Sequence, residues 1–190
     1  MSAVVFRWRG FLFLPLVVVF LVWGRPSVRS FVIGFIVALF GEALRIWGVG
    51  YAGGTTRSSE VCAPYLVTAG PYGYVENPLY LGNFIMGFGF FLMSCGVVSL
   101  WTRLLFLVLL LFFYSLIYGA IIPLEESYLL TQFGDGYHRY AQAVHRLLPR
   151  KTPYHPALGT FSWAVIGRSE VHTLIYFALM TIIMYAKIIL

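Results

Sequence analysis

Residues 104–122 carry no charged side chain, and this run is long enough to cross the hydrocarbon core of a bilayer as a helix. Four further apolar runs cover about residues 11–23, 30–47, 79–100 and 171–190. Apolar residues make up 60% of the chain and charged residues 11%, whereas soluble domains are about 45–50% apolar. The sequence therefore predicts an all-α integral membrane protein with about five transmembrane helices.

The first apolar run has a second interpretation, because Arg7 and Arg9 precede it as in a secretory signal peptide. A signal peptide ends in a cleavage site of small residues, but Gly24, Arg25 and Pro26 follow this run. We therefore prefer a first transmembrane helix.

The net charge of +6 indicates contact with lipid headgroups rather than with nucleic acid, because the basic residues flank the apolar runs instead of forming a stripe. With five spans, the basic residues of one side are Arg7, Arg9, Arg57, Arg139, Arg146, Arg150, Lys151 and Arg168. The other side holds Arg25, Arg29 and Arg103, with Lys187 near the end. The positive-inside rule then places the N-terminus and both long polar segments in the cytoplasm.

A chain of 190 residues suits one domain. We divide it into a two-helix N-terminal hairpin (1–48), a cofactor-binding catalytic core (49–150), and a C-terminal loop with the last transmembrane helix (151–190). Glu42 and Arg45 lie inside the second run and three residues apart, so they share a helix face and can pair. Two interpretations stay open for them: a structural ion pair, or one wall of a functional pocket.

The segment 66–82 is polar and rich in turn-forming residues, in contrast to the apolar runs around it. Pro71 and Pro78 restrict the backbone, and Gly70, Gly73 and Gly82 permit close approach of a second chain or a ligand. Irregular backbone at membrane depth is tolerated only where protein buries it or a cavity receives it. The segment therefore predicts a cavity, which we interpret as a cofactor site.

A second polar segment begins with Glu125 and Glu126, directly after Pro123, which we expect to end or kink the fourth span. A short helix over 127–133 and another over 137–146 are predicted to follow. The two carboxylates have two interpretations. They favour the macrodipole of a helix that starts at Pro123, or they belong to a site in which Arg146 or a cationic cofactor is their partner.

Other chemistries have little support in the sequence. The four histidines form no HExxH pattern, and Cys62 and Cys95 form no CxxC pattern, so we expect no metal site and no disulfide framework. There is no GxSxG sequence for a nucleophilic serine and no phosphate-binding loop.

Two motifs carry a family resemblance: Gly70-Pro71-Tyr72-x-Tyr74-Val75-x-Asn77-Pro78-Leu79-Tyr80-Leu81-Gly82, and Glu125-Glu126 followed by Phe133-Gly134-Asp135-x-Tyr137-x-x-Tyr140-x-x-x-Val144-x-Arg146-x-x-Pro149. In this order, over about residues 50–150, the chain resembles the isoprenylcysteine carboxyl methyltransferase and phospholipid methyltransferase superfamily. The resemblance implies an integral membrane enzyme whose C-terminal half binds S-adenosylmethionine on the cytosolic side. It also implies a lipid-linked acceptor, either a prenylated cysteine carboxylate or a phospholipid amine.

Carried over by position, the resemblance implies a cofactor pocket formed by Tyr74, Val75, Asn77, Pro78, Tyr80, Gly82, Glu125, Glu126, Tyr137 and Tyr140. It implies catalytic roles for Asn77, Tyr80, Glu125 and Arg146. We expect methyl transfer from S-adenosylmethionine to a lipid-like or prenylated acceptor, as in the isoprenylcysteine carboxyl methyltransferases. The alternatives are a phospholipid amine N-methyltransferase and a membrane scaffold without catalytic activity.

One position departs from the pattern of the carboxyl methyltransferases, which usually read Arg-His-Pro where this chain reads Glu76-Asn77-Pro78. An acid would repel a carboxylate acceptor, and an acid before Asn-Pro is closer to the phosphatidylethanolamine methyltransferases. The alternative is that Glu76 lies on the solvated edge of the loop.

Overall fold

The computed structural model describes Trp8 and residues 10–54 and 62–190, and within these ranges the chain forms helices and turns but no strand. This confirms the predicted all-α fold. Arg7, Arg9 and Arg57, which contribute to the predicted orientation, lie outside the described residues. The α-helices are α1 (Leu14–Trp23), α2 (Val28–Ala52), α3 (Pro78–Ser94), α4 (Leu100–Phe133), α5 (Asp135–Ala143), α6 (Trp163–Ser169) and α7 (Val171–Ile189), and 3₁₀ turns cover Phe11–Phe13 and Gly70–Gly73.

Among the described residues, α2, α4 and α7 are long and apolar enough to cross a membrane. The two shorter apolar helical segments are Phe11–Trp23 and α3. All five coincide with the five apolar runs of the sequence, and the structure therefore supports an integral membrane protein.

Helices α2 and α3 pack with their backbones in direct contact through glycines. A methyl carbon added to Gly41 would lie 2.4 Å from the backbone nitrogen of Met86, and one added to Gly89 would lie 2.4 Å from the backbone nitrogen of Ala38. Small residues at a membrane helix interface permit this approach because no side chain separates the backbones. Gly41 and Gly89 are therefore positions at which α2 and α3 are in close backbone contact.

Helix α4 continues through Pro123 and ends only at Phe133, where Gly134 has a positive φ of 50°. The prediction of a separate short helix over 127–133 was therefore wrong. Proline removes only its own backbone hydrogen bond and the neighbouring bonds hold the helix together, so an apolar helix with a capped start can tolerate it. Glu125 and Glu126 lie in the body of this helix, and the macrodipole interpretation of the pair is thereby excluded.

Two further boundaries differ from the prediction. Helix α5 ends at Ala143 because Val144 adopts an extended conformation, with φ −119° and ψ 125°, and Arg146 therefore lies beyond the helix. The C-terminal loop that was predicted to precede the last transmembrane helix contains a further helix, α6, which starts at Trp163.

Candidate functional site

Two segments far apart in the sequence meet at one end of the helical bundle. The turn that precedes α3 and the segment that follows α5 are joined by backbone hydrogen bonds of ordinary length. The bonds are Glu76 N to His145 O (2.9 Å), Asn77 N to Arg146 O (3.1 Å), Arg150 N to Tyr74 O (2.9 Å) and Tyr154 N to Gly73 O (2.8 Å). The two sequence motifs are therefore held together by the backbone as well as by side chains.

The buried face of α5 supports the same turn. Tyr140 donates its hydroxyl proton to the carbonyl oxygen of Tyr72 over 2.8 Å, and Tyr137 donates its hydroxyl proton to a carboxylate oxygen of Glu76. Both tyrosines and Val144 are buried together. The two tyrosines therefore lie on the inner side of α5.

Glu76 is only 8% exposed, which overturns the alternative of a solvated loop edge. Burial raises the pKa of its carboxyl group above the ordinary value, and the hydrogen bond from Tyr137 opposes this shift. The Glu126 carboxylate raises the pKa further, and the Arg146 guanidinium lowers it. A buried acid at the junction of the two motifs is a group whose protonation the surrounding protein controls.

Glu125 and Glu126 face different partners, as expected for neighbours on one helix. The Tyr80 hydroxyl donates to Glu125 Oε1 over 2.5 Å, and the Tyr80 ring packs against the ring of Tyr118 with centroids 4.5 Å apart. Arg146 reaches Glu126 with two nitrogens: Nε lies 2.5 Å from Oε1, and Nη2 lies 2.7 Å from Oε2. Arg146, one of the two cationic partners considered for the Glu125–Glu126 pair, therefore binds Glu126.

A cavity of about 900 Å³ opens between α1, α2, α3, α4 and α7. Its polar walls come from Glu76, Asn77, Tyr80 and Glu125, and its apolar walls come from α1, α3 and α7. A second cavity of about 450 Å³ lies beside it and is lined by Glu126, Tyr137, His138 and Arg146, among others. Glu76 is the one described residue that lines both cavities.

Arg45 also lines the large cavity, and two buried acids hold its guanidinium. Nη2 lies 3.0 Å from each carboxylate oxygen of Glu170, and Nε lies 3.5 Å from Glu42 Oε2. Arg45 also donates to Asn83, whose amide nitrogen donates to the Tyr118 hydroxyl over 2.9 Å. The ion pair between Glu42 and Arg45 is therefore confirmed, and Arg45 also lies in the wall of the cavity. The functional role of this wall stays a prediction.

The pKa of Tyr72 reflects the same surroundings. Burial raises it above the ordinary value, the Glu125 carboxylate raises it further, and the Arg45 guanidinium lowers it. Tyr72 therefore lies within electrostatic range of a charged residue from α4 and of another from α2.

The structure brings most of the predicted site residues to the two cavities. Asn77, Pro78, Tyr80 and Glu125 line the large cavity, and Glu126, Tyr137 and Arg146 line the small one. The remaining four, Tyr74, Val75, Gly82 and Tyr140, line neither of these two cavities. The cofactor-binding role of each residue stays a prediction.

Sequence reasoning did not include Asn83, Tyr118 and Glu170. Glu170 is 1% exposed at the start of the last apolar run, and a charge at such a position is a signal that could have identified it. Asn83 and Tyr118 carried no such signal, because their roles depend on contacts between helices. Within the described residues, no group of three or more His, Cys, Asp or Glu side chains lies close enough to hold a metal ion.

The fold and the site together define an integral membrane protein in which a polar cluster closes one end of an apolar cavity. The family model for the isoprenylcysteine carboxyl methyltransferase family matches residues 32–131, more than half of the chain. The chain therefore belongs to this family, and the predicted resemblance is confirmed.

Curated relatives carry the corresponding names. A protein-S-isoprenylcysteine O-methyltransferase of Schizosaccharomyces pombe is 40% identical over 84 residues, which are 44% of this chain and 33% of the relative. Probable protein-S-isoprenylcysteine O-methyltransferases of Oryza sativa, from subspecies indica and japonica, are each 34% identical over 121 residues, which are 62% of this chain and 60% of the relative. The chain thus spans between one third and three fifths of the length of these relatives. No solved structure has a significant match to the chain.

Proposed function

We propose that this protein is an S-adenosylmethionine-dependent methyltransferase that acts on a lipid-like or prenylated acceptor at the cytosolic face of a membrane. The observation that carries the proposal is the meeting of the Asn77–Tyr80 segment and Glu125 at the polar end of a large, mostly apolar cavity. Membership of the family and the O-methyltransferase names of the relatives support it.

The residues at the polar end fit a cationic cofactor. Glu125 accepts a hydrogen bond from Tyr80 in the wall of a mostly apolar cavity, where a carboxylate attracts an ammonium or sulfonium group more strongly than in water. Tyr80 and Tyr118 both line this cavity, and the faces of aromatic rings attract cations. Both cavities have volumes within the range of about 300–1,000 Å³ that is usual for small-molecule sites. Asn77, Tyr80 and Glu125 would hold the cofactor, which supplies an electrophilic methyl group when bound.

The contribution of the chain is then to orient the reactants and to exclude water. Tyr80 fixes the Glu125 carboxylate through its hydroxyl group, and the Tyr118 ring supports Tyr80. Two hydrogen bonds to the carbonyl oxygen of Arg146 hold Asn77. One comes from its backbone nitrogen, and the other comes from its Nδ2 over 3.2 Å. The apolar side chains of α1, α3 and α7 offer an environment for the hydrocarbon part of an acceptor.

The proposal includes the division of the chain and its orientation. Residues 49–150 are the cofactor-binding core, residues 1–48 form the N-terminal hairpin, and residues 151–190 carry the last helix. The N-terminus and the polar end of the cavity face the cytoplasm, as the distribution of basic residues predicts. A soluble cofactor would then arrive from the cytoplasm, and the acceptor would come from the lipid.

Calorimetric titration of the detergent-solubilised protein with S-adenosylmethionine tests this proposal. We expect Glu125→Gln and Asn77→Ala to weaken binding about tenfold or more, since a hydrogen bond to a charged group contributes about 1.5–3 kcal/mol. Asp135→Asn makes the same carboxylate-to-amide change at an exposed residue that lines neither cavity, and it should bind as the wild type does.

Unchanged affinity in both site variants would contradict the assignment of the site. A folded wild-type protein that binds no S-adenosylmethionine would contradict the proposed function and favour a scaffold.

A further inference from the structure

Asn83 on α3 joins the guanidinium in the wall of the large cavity to a tyrosine of α4. Its amide oxygen accepts a hydrogen bond from Nη1 of Arg45 on α2. Its amide nitrogen donates to the hydroxyl oxygen of Tyr118 on α4 over 2.9 Å. All three residues line the large cavity. One side-chain amide therefore links three helices at the cavity wall.

Arg45 determines which way this amide faces. A guanidinium group only donates hydrogen bonds, so the amide oxygen of Asn83 has to lie towards Arg45 and its nitrogen towards Tyr118. Glu170 holds Arg45 in turn, because Nη2 of Arg45 lies 3.0 Å from each oxygen of this 2% exposed carboxylate. Breaking a buried ion pair is costly, so Arg45 and the amide that it binds have one stable arrangement.

Tyr118 carries this constraint to the polar end of the cavity. Its ring packs against the ring of Tyr80 with centroids 4.5 Å apart, and the Tyr80 hydroxyl donates to Glu125 Oε1 over 2.5 Å. Tyr114 supports the same contact, because its hydroxyl donates to the backbone carbonyl oxygen of Asn83 and its ring lies 5.2 Å from that of Tyr118. The orientation of the Glu125 carboxylate is therefore coupled to the Asn83 amide through two tyrosines.

We propose that Asn83 is a positioning residue of this site: it fixes Tyr118 and, through the packing of Tyr118 on Tyr80, orients the Glu125 carboxylate towards the bound cofactor. The inference rests on the proposed methyltransferase function. A carboxylate that is already oriented in the free protein loses less freedom when a ligand binds, and the ligand therefore binds more tightly.

Two substitutions test the inference from the two sides of one hydrogen bond. Asn83→Leu keeps a similar volume and removes both hydrogen bonds of the amide. Tyr118→Phe keeps the ring that packs on Tyr80 and removes the hydroxyl that Asn83 binds. We expect each change to weaken the binding of S-adenosylmethionine, measured by calorimetric titration in detergent, about three- to tenfold, as for the loss of one ordinary hydrogen bond.

Ser94→Ala is the matched control. It also removes a buried hydrogen bond from α3, the bond that the Ser94 hydroxyl donates to the carbonyl oxygen of Phe90 over 2.8 Å. Ser94 lines neither of the two cavities. The control should therefore bind S-adenosylmethionine as the wild type does, even where its stability falls.

Tyr80→Phe separates a positioning role from a structural one. This change removes the hydroxyl through which Tyr80 holds Glu125, so a residue that acts along this route loses its effect in the altered protein. We expect Asn83→Leu to change the affinity less than about twofold when Tyr80→Phe is already present. A loss of packing without a positioning role would weaken binding by the same factor in both backgrounds.

The outcomes separate this inference from the proposed function. Wild-type affinity in both Asn83→Leu and Tyr118→Phe would overturn the inference alone, and so would equal losses with and without the Tyr80 hydroxyl. If Asn83→Leu does not fold, the combination of Tyr118→Phe with Tyr80→Phe decides in the same way. A folded wild type that does not bind S-adenosylmethionine would contradict the proposed function itself.

Discussion

The contact between α2 and α3 makes Gly41→Ala an informative perturbation. An added methyl carbon would lie 2.4 Å from the backbone nitrogen of Met86, 2.7 Å from the carbonyl oxygen of Gly82 and 2.9 Å from the Cα of Met86. An ordinary contact is 3.4–4 Å, so the helices must separate by about 1 Å locally. All three atoms belong to the backbone, and no change of rotamer can relieve the clash.

The magnitude follows from two opposing effects. Overpacking of this kind costs about 3 kcal/mol at the upper end of the usual range, and replacement of glycine by alanine in a helix returns about 1 kcal/mol. We therefore expect a net loss of about 2 kcal/mol in the free energy of unfolding. Arg45 lies one turn further along α2 and binds Asn83 of α3, so the separation should also weaken the binding of S-adenosylmethionine.

Thermal unfolding in detergent, followed by tryptophan fluorescence, measures the loss of stability. Calorimetric titration measures the weaker binding of S-adenosylmethionine. Gly119→Ala is the matched control. It lies in the body of α4, and an added methyl carbon there meets no atom within 4 Å. This control should unfold at the same temperature as the wild type or at a slightly higher one. If Gly41→Ala and the control have equal unfolding temperatures, the backbone contact between α2 and α3 is not as described.

Two further predictions concern buried acids. Burial raises the pKa of the Glu76 carboxyl group, so folding favours the protonated acid relative to the unfolded chain. The stability that Glu76 contributes in this way is complete below the ordinary carboxyl pKa of about 4.3. It is lost as the pH rises through the raised pKa of the folded protein. We expect Glu76→Gln to gain unfolding temperature relative to the wild type as the pH rises from 4 towards neutrality, and a difference that is constant with pH would refute this. Glu170→Gln, which removes a buried partner of Arg45, should lower the free energy of unfolding by about 1–3 kcal/mol. Chemical denaturation measures this change in the free energy of unfolding. Equal midpoints for the variant and the wild type would show that the Arg45–Glu170 ion pair does not hold α7 to α2.

The residues that pattern reasoning placed correctly are those whose position depends on neighbours in the sequence. Apolar runs identified the five apolar helical segments. The two motifs led to the family, which the family model confirms. Pro123 shows the limit of local reasoning, because the surrounding apolar helix outweighs the single hydrogen bond that proline removes.

The sequence by itself determined that this protein is an all-α membrane protein of the isoprenylcysteine carboxyl methyltransferase family, because hydropathy and local motifs are properties of contiguous residues. Only the tertiary structure decided which carboxylates are buried and which cation each one meets. Glu76 is enclosed by Tyr137, and Glu170 meets Arg45 across 125 residues of sequence. Such pairings depend on how the helices pack, and a buried charge is stable only where that packing supplies its partner.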